Sequence, residues 1–247
     1  MRAYLKLTGA LAKLYLRDPA GAFFTLAFAP LFVLFIGAIA GNDPEPSLSG
    51  MGYLDANLPV FAAIVVGMVG LFSVPIGTVT LRESGALRRF MATPLRPLVY
   101  IAADVTVYLV MTLIGIALAF VTGMIVFGVR LQGDVFGLFA AICLGALAFM
   151  ALGYTLASIE PTAQTAIVVG NVLAFPSLAL SGATVPLEVL PQEAQNVARV
   201  LPLTQMVDLF RGLWLGEGWQ SYLTHLAVLG GMLVAGTALA AWLFRWE

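Results

Sequence analysis

Six long apolar stretches recur along the chain and are separated by polar or proline-containing segments. A membrane-spanning helix needs about 20 predominantly apolar residues, and each stretch meets that length. The stretches cover residues 21–41, 58–80, 99–128, 135–158, 163–182 and 222–244. The pattern predicts an all-α polytopic membrane protein with six transmembrane helices.

Basic residues are concentrated in alternate loops between these stretches. Nine of the 12 Lys and Arg residues lie in the N-terminal segment, in the loop after the second stretch and at the C-terminus. The remaining three are Arg130, Arg199 and Arg211. Loops rich in Lys and Arg stay on the cytoplasmic side of a membrane. We therefore expect both termini to be cytoplasmic.

Residues 1–20 have an amphipathic pattern. Arg2, Lys6, Lys13 and Arg17 fall within a stripe of about 60° on a helix, opposite an apolar face. The apolar face consists of Tyr4, Leu7, Leu11 and Leu14. A helix of this kind lies along the membrane surface, although an amphipathic cytosolic tail would have the same pattern. We prefer the interfacial helix, and we expect Asp18-Pro19 to end it.

The segment 183–220 is apolar but is interrupted by Pro186, Pro191 and Pro202. Its apolar pieces are too short to span a membrane. They predict short external helices between the fifth and sixth spans, which dip into the outer leaflet or cap the bundle.

The loop 82–97 is the one long cytoplasmic loop predicted between spans. In a helical conformation Leu87, Phe90 and Met91 would form an apolar patch, and Arg88 and Arg89 would flank it. An ordinary basic loop that only sets the topology is the alternative. Exposed Phe and Met side chains favour a docking surface for a cytosolic protein.

One acidic residue, Asp104, falls inside a predicted span. Tyr100, Asp104, Tyr108 and Thr112 recur at intervals of four and share one helix face. Such a face turns toward the bundle interior or a wet cavity. We take Tyr100, Asp104, Tyr108 and, in the fifth span, Asn171 as a candidate substrate path, although a polar residue such as Asn171 can equally hold neighbouring helices together. The alternative is a purely structural carboxylate near the interface that is hydrogen-bonded to a tyrosine or a loop arginine.

Composition narrows the function. Hydrophobic residues make up 61% of the 247 residues and charged residues 10%, whereas soluble domains carry about 25% charged residues. The net charge of −1 gives no indication of a nucleic-acid partner. One cysteine and one histidine exclude an internal disulfide and a histidine metal cluster. The sequence contains no P-loop, HExxH or GxSxG motif, so we do not expect the chain itself to be an enzyme.

Three groups of residues carry a resemblance to a known family. They are Arg17-Asp18-Pro19 with Pro30; Arg82-Glu83-x-Gly85-x-Leu87-x-Arg89 with Thr93-Pro94-Leu95-x-Pro97; and a third group, Phe175-Pro176, Ser181-Gly182, Pro186-Leu187-Glu188-x-Leu190-Pro191, Leu201-Pro202-Leu203-Thr204, Asp208 and Arg211-Gly212. With these residues the chain resembles the ABC-2 family of transporter permeases, the membrane subunits of bacterial ABC exporters such as the daunorubicin-resistance type.

The resemblance implies a single transmembrane domain over 1–247, with 1–20 as a connecting helix and 183–220 as external helices. It implies a dimer with a second permease, identical or different, in the bacterial inner membrane. Two copies of a separate ATPase would bind ATP and Mg, and this chain would hold no cofactor. The segment 82–97 would couple to the ATPase through Glu83, Leu87, Arg88, Arg89, Phe90 and Met91.

The expected function is therefore ATP-driven export of a hydrophobic or amphipathic substrate, such as a drug or a lipid-like molecule. A secondary transporter is one alternative, but it would need inverted repeats and ion ligands near the midplane, and the sequence indicates neither. A membrane assembly scaffold without an ATPase partner is the other alternative.

Overall fold

The computed structural model describes residues 2–45, 50–87, 97–183 and 190–243. Every regular element in these ranges is helical. The N-terminal part contains α1 (Arg2–Arg17), α2 (Pro19–Ala22), a π-helical turn (Phe23–Ala27) and α3 (Phe28–Ala40). Asp18 follows α1 directly, as its position before a proline predicts.

The described residues after α3 form eight further α-helices and two shorter helical turns. In chain order these are α4 (Tyr53–Met68), a second π-helical turn (Val69–Ser73), α5 (Val74–Glu83), α6 (Pro97–Phe127), α7 (Val135–Ile159), α8 (Ala163–Leu180), α9 (Gln192–Ala198), α10 (Pro202–Trp214), a 3-10 turn (Trp219–Tyr222) and α11 (Leu223–Leu243).

Five helices in the described ranges are long and apolar enough to cross a membrane. They are Tyr53–Glu83, Val99–Phe127, Val135–Ile159, Ala163–Leu180 and Trp219–Leu243. The first predicted span, 21–41, contains the shorter apolar helix Thr25–Ala40. The second helix begins at Tyr53 rather than at residue 58, because polar Asp55 and Asn57 interrupt the apolar run without interrupting the helix.

Helix α10 lies in the centre of the bundle. It packs against α4, α7 and α11, and its Met206 and Phe210 side chains are fully buried. A Cβ atom on Gly145 of α7 would lie 2.7 Å from the sulfur of Met206. Gly145 is about 15 Å along α7 from its start at Val135. The segment predicted to form short external helices therefore sends one helix deep among the spans, while α9 remains the short helix that the sequence predicts.

Helix α1 covers the start of α6. Leu7 and Leu11 are buried in a cluster with Tyr100, Ala103 and Val107, apart from the main core. Leu14, which shares their predicted face, is 49% exposed. The amphipathic pattern thus produces a helix whose apolar face is partly covered by the chain itself, and its position at a membrane surface stays a prediction.

Candidate functional site

Three of the four predicted path residues line one cleft. Asp104, Tyr108 and Asn171 contribute to the wall of a cleft of about 700 Å³ between α1, α4, α5, α6 and α8. The fourth, Tyr100, is not in this wall, because it is buried in the cluster between α1 and α6. The i to i+4 spacing places Asp104 and Tyr108 together, whereas Tyr100 lies one turn too far toward α1.

Asp104 is held by a tyrosine from another span. Its side chain is 6% exposed, and its Oδ2 accepts a hydrogen bond of 2.7 Å from the hydroxyl of Tyr154 on α7. Tyr154 itself is buried. A tyrosine partner is what the structural alternative for Asp104 expected, but the sequence could not identify it as Tyr154, because the two residues are 50 positions apart and share no motif. The hydrogen bond fixes the carboxylate and couples α6 to α7.

Two tyrosines connect the π-helical turns to the cleft. Tyr108 donates a hydrogen bond of 2.9 Å to the carbonyl oxygen of Ser73 in the second π-helical turn. Tyr15 of α1 is hydrogen-bonded to Thr25 in the first. The two rings meet edge to face, with centroids 5.4 Å apart. Since π-helical turns are frequent at functional sites, their convergence on this wall marks the cleft as a candidate site.

Most of the cleft wall is apolar. Tyr15, Phe28, Phe72, Tyr108 and Phe175 all contribute aromatic rings to it. Asn171 adds an amide, whose nitrogen donates to the carbonyl oxygen of Ile167 on the same helix, at 2.7 Å. A concave, largely apolar wall with a few polar groups is typical of a small-molecule site. Within the described ranges no group of three or more His, Cys, Asp or Glu side chains could hold a metal ion.

The predicted coupling residues fall into two sets. Glu83 is exposed at the end of α5, and Leu87 is fully buried beside Leu7, Leu11 and Tyr100. Arg88, Arg89, Phe90 and Met91 lie outside the described residues. Leu87 was expected in an exposed apolar patch, but here its side chain already packs inside the chain. Leu87 therefore attaches the segment 82–97 to the rest of the chain. A docking role for Phe90 and Met91 stays a prediction.

Arg82 has a role that sequence analysis missed. One guanidinium nitrogen donates to the carbonyl oxygen of Ala157 at 2.9 Å, and another donates to that of Glu160. These carbonyl groups lie at the C-terminal end of α7, where unpaired carbonyls and the helix dipole favour a cation. Arg82 therefore ties the end of α5 to the end of α7, in addition to being one of the basic residues that predict orientation.

The Glu160 side chain next to this contact is buried. It is 4% exposed, and neither carboxylate oxygen has a hydrogen-bond partner among the described residues. Burial raises the pKa of Glu160, and the positive charge of Arg82 partly opposes that rise. A carboxyl group in this position destabilises the fold when it is ionised.

Comparison with known proteins agrees with the geometry. The sequence model of the family described as "ABC-2 type transporter" matches residues 3–215. Nodulation protein J of Rhizobium leguminosarum bv. viciae is 34% identical over 88 residues, which are 36% of this chain and 34% of that protein. The bv. trifolii protein of the same name is 34% identical over 104 residues, which are 42% of this chain and 40% of that protein.

Nodulation protein J of Neorhizobium galegae is 32% identical over 91 residues, which are 37% of this chain and 35% of that protein. The aligned segments thus span well under half the length of these relatives. The family match, by contrast, extends from α1 to the end of α10 and includes most of the cleft wall. The apolar helices, the cleft and this match together show that the chain belongs to the ABC-2 type transporter family of membrane proteins.

Proposed function

We propose that this chain is the permease subunit of an ATP-driven exporter, and that it moves a hydrophobic or amphipathic substrate out across a bacterial inner membrane. Two copies of a separate ABC ATPase bind ATP and Mg, and a second permease, identical or different, completes the pathway. The observation that carries the proposal is the apolar cleft of about 700 Å³ in the wall of the helix bundle. Its size lies within the range of about 300–1,000 Å³ that is typical of ligand sites.

Six spans are the topology that best fits this function. Residues 19–40 are helical without a break, through α2, the first π-helical turn and α3. Twenty-two residues reach about 33 Å along a helix, and the hydrocarbon core is about 30 Å thick. This helix and the five long ones give an even number of spans, with both termini on the basic, cytoplasmic side.

Thiol labelling tests this topology. Single cysteines are introduced as Ser47→Cys, Gln192→Cys and Ser84→Cys, after Cys143→Ser has removed the only native thiol. In intact cells an impermeant reagent should label the first two and spare Ser84→Cys until the cells are opened. Labelling of Ser84→Cys in sealed cells contradicts the orientation.

Coupling to the ATPase uses the segment after α5. Leu87 packs against α1 and against Tyr100 of α6. Helix α6 also carries Asp104 and Tyr108, which line the cleft. A force on this segment therefore reaches the cleft wall through two packed helices. In our proposal Phe90 and Met91 insert into a groove of the ATPase.

Alanine substitutions separate docking from simple charge effects. Removing a buried anchor costs about 2 kcal/mol or more, whereas an exposed ion pair contributes about 0–1 kcal/mol. Phe90→Ala should therefore weaken capture of the ATPase by the tagged chain, and transport-stimulated hydrolysis, more than Arg88→Ala does. Leu87→Ala should instead lower the thermal stability of the permease alone. If joint replacement of Phe90 and Met91 changes neither capture nor hydrolysis, the docking role is wrong.

A further inference from the structure

The cleft wall contains a carboxylate without a matching cation. Asp104 is 94% buried, and in the described part of the chain the one hydrogen bond to its side chain comes from the neutral hydroxyl of Tyr154. Among the described residues it forms no ion pair. The wall also contains Arg17 and Asp18, which are exposed and opposite in charge. With those two in balance, the charged groups of the wall leave one negative charge, at Asp104.

A buried carboxylate in a membrane protein is costly unless a positive charge accompanies it. Tyr154 supplies a hydrogen bond but no charge. Two things can neutralise Asp104 there: a proton on the carboxyl group itself, or a positive charge on the molecule that occupies the cleft. A small metal ion is a poor match, because hard cations need six or more oxygen ligands and no acidic cluster is present in the described part of the chain.

Aromatic rings in the cleft wall offer a second attraction for a cationic ligand, in addition to the Asp104 carboxylate. Phe28, Phe72 and Phe175 line the same cleft as Asp104, together with the tyrosine pair Tyr15 and Tyr108. The face of an aromatic ring attracts organic cations, and proteins use aromatic side chains to receive quaternary ammonium ligands. The rings also offer an apolar surface to the body of a lipophilic ligand.

We infer that the cleft binds amphipathic organic cations, with the cationic centre beside Asp104 and the apolar body against the aromatic rings. This inference rests on the proposed export function and specifies the substrate class of the same site. A neutral molecule of similar shape fills the apolar part of the cleft but leaves the Asp104 charge uncompensated. An anionic molecule is repelled. The cleft therefore discriminates by charge as well as by shape.

The test uses the purified chain in a neutral detergent and radiolabelled methyltriphenylphosphonium as the probe. Triphenylphosphine oxide, a neutral molecule with the same three phenyl groups on phosphorus, is the competitor. The wild-type chain should bind the phosphonium at least about tenfold more tightly, a difference of about 1.4 kcal/mol. Asp104→Asn should remove this preference, and Asp104→Glu should keep most of it. Glu193→Gln, which neutralises an exposed carboxylate outside the cleft wall, is the matched control and should leave binding unchanged.

The gel-filtration profile and the midpoint of thermal unfolding show whether each variant is folded. If Asp104→Asn does not fold, the comparison of cation and neutral competitor on the wild-type chain still decides the question. Equal affinity for the two probes, or undiminished phosphonium binding by folded Asp104→Asn, overturns the inference. ATP-driven transport that does not favour the cation refutes this inference and leaves the export function intact. Asp104-dependent binding of the cation without any ATP-driven transport supports this inference and refutes the export function.

Discussion

Gly115 of α6 offers the sharpest test of how the N-terminal apolar helix Thr25–Ala40 and its π-helical turn pack. A Cβ atom at this position would lie 1.9 Å from the carbonyl oxygen of Thr25, in the first π-helical turn. That oxygen belongs to the backbone, so no side-chain rotation can relieve the collision. Since ordinary contact begins near 3.4 Å, Gly115→Ala must move the two helices apart by about 1.5 Å.

The energetic effect follows from this displacement. Overpacking of a well-packed contact costs about 1–3 kcal/mol, and a backbone collision belongs at the upper end of that range. Alanine regains up to about 1 kcal/mol as a better helix former than glycine. The net loss of stability should be about 2 kcal/mol, or about 4–8 °C in thermal midpoint.

Two other glycines serve as matched controls. In Gly231→Ala the added methyl group meets open space on α11, so stability should stay the same or rise by up to about 1 kcal/mol. In Gly123→Ala it would lie 3.0 Å from the end of the Leu58 side chain, which can rotate. The expected order of stability is therefore Gly231→Ala, then Gly123→Ala, then Gly115→Ala.

The protein contains its own reporter for this measurement. Cys143 is the only cysteine and is partly buried, so a thiol-reactive dye follows its exposure on heating. The midpoint of dye reaction would be recorded for the three variants in one detergent. If Gly115→Ala melts with the wild type, or if Gly231→Ala loses as much stability, the described contact between α6 and the first π-helical turn is wrong.

Substitutions at three further sites test contacts at the helix ends with the same assay. Arg82→Gln removes charge-assisted hydrogen bonds from a half-exposed site and should lower the free energy of unfolding by about 1–2 kcal/mol. Arg82→Lys should restore only part of this loss, because lysine lacks the planar guanidinium group that reaches both carbonyl oxygens. The pKa of Glu160 is raised in the folded protein. Wild-type stability should therefore fall as the pH rises from the pKa of an unfolded glutamate, about 4.3, through the pKa of the folded one. Glu160→Gln should flatten that profile. Asp55 accepts hydrogen bonds from the Arg130 amide, at 2.9 Å, and from the Asn42 side chain, at 3.2 Å. Asp55→Ala should therefore cost about 1–2 kcal/mol, and an unchanged midpoint would contradict this contact.

The bounds of a helix were predictable wherever the length of the apolar run determines where the helix begins and ends. The fourth span, predicted at 135–158, is observed as Val135–Ile159, because Asp134 caps its first turn and Glu160 follows its end. The start of the second span was missed, since Asp55 interrupts the apolar run yet lies in a helical turn that tolerates acids. The two π-helical turns have no sequence signal of this kind, because both lie within ordinary apolar runs.

The cleft was only partly accessible to sequence reasoning. Spacing along a helix placed Asp104 and Tyr108 on one face, since that spacing is a local property. Tyr154 could not be assigned to Asp104, because their contact depends on how α7 crosses α6. The burial of Leu87 likewise depends on α1, which is distant in sequence and covers that side of the segment. Local patterns therefore identified the face, and tertiary packing determined its partners.

The central position of α10 has a consequence for how the protein is made. The partners of α10 come from the beginning, the middle and the end of the chain, and the space beside Gly145 receives Met206 only after about 60 more residues have been synthesised. A nascent chain that has been synthesised only as far as the end of α8 still lacks Met206 and Phe210, the side chains of α10 that fill the centre of the bundle. Membrane integration and folding are thus separate stages for this protein. Between them, the growing chain exposes surfaces that quality-control proteases and chaperones recognise.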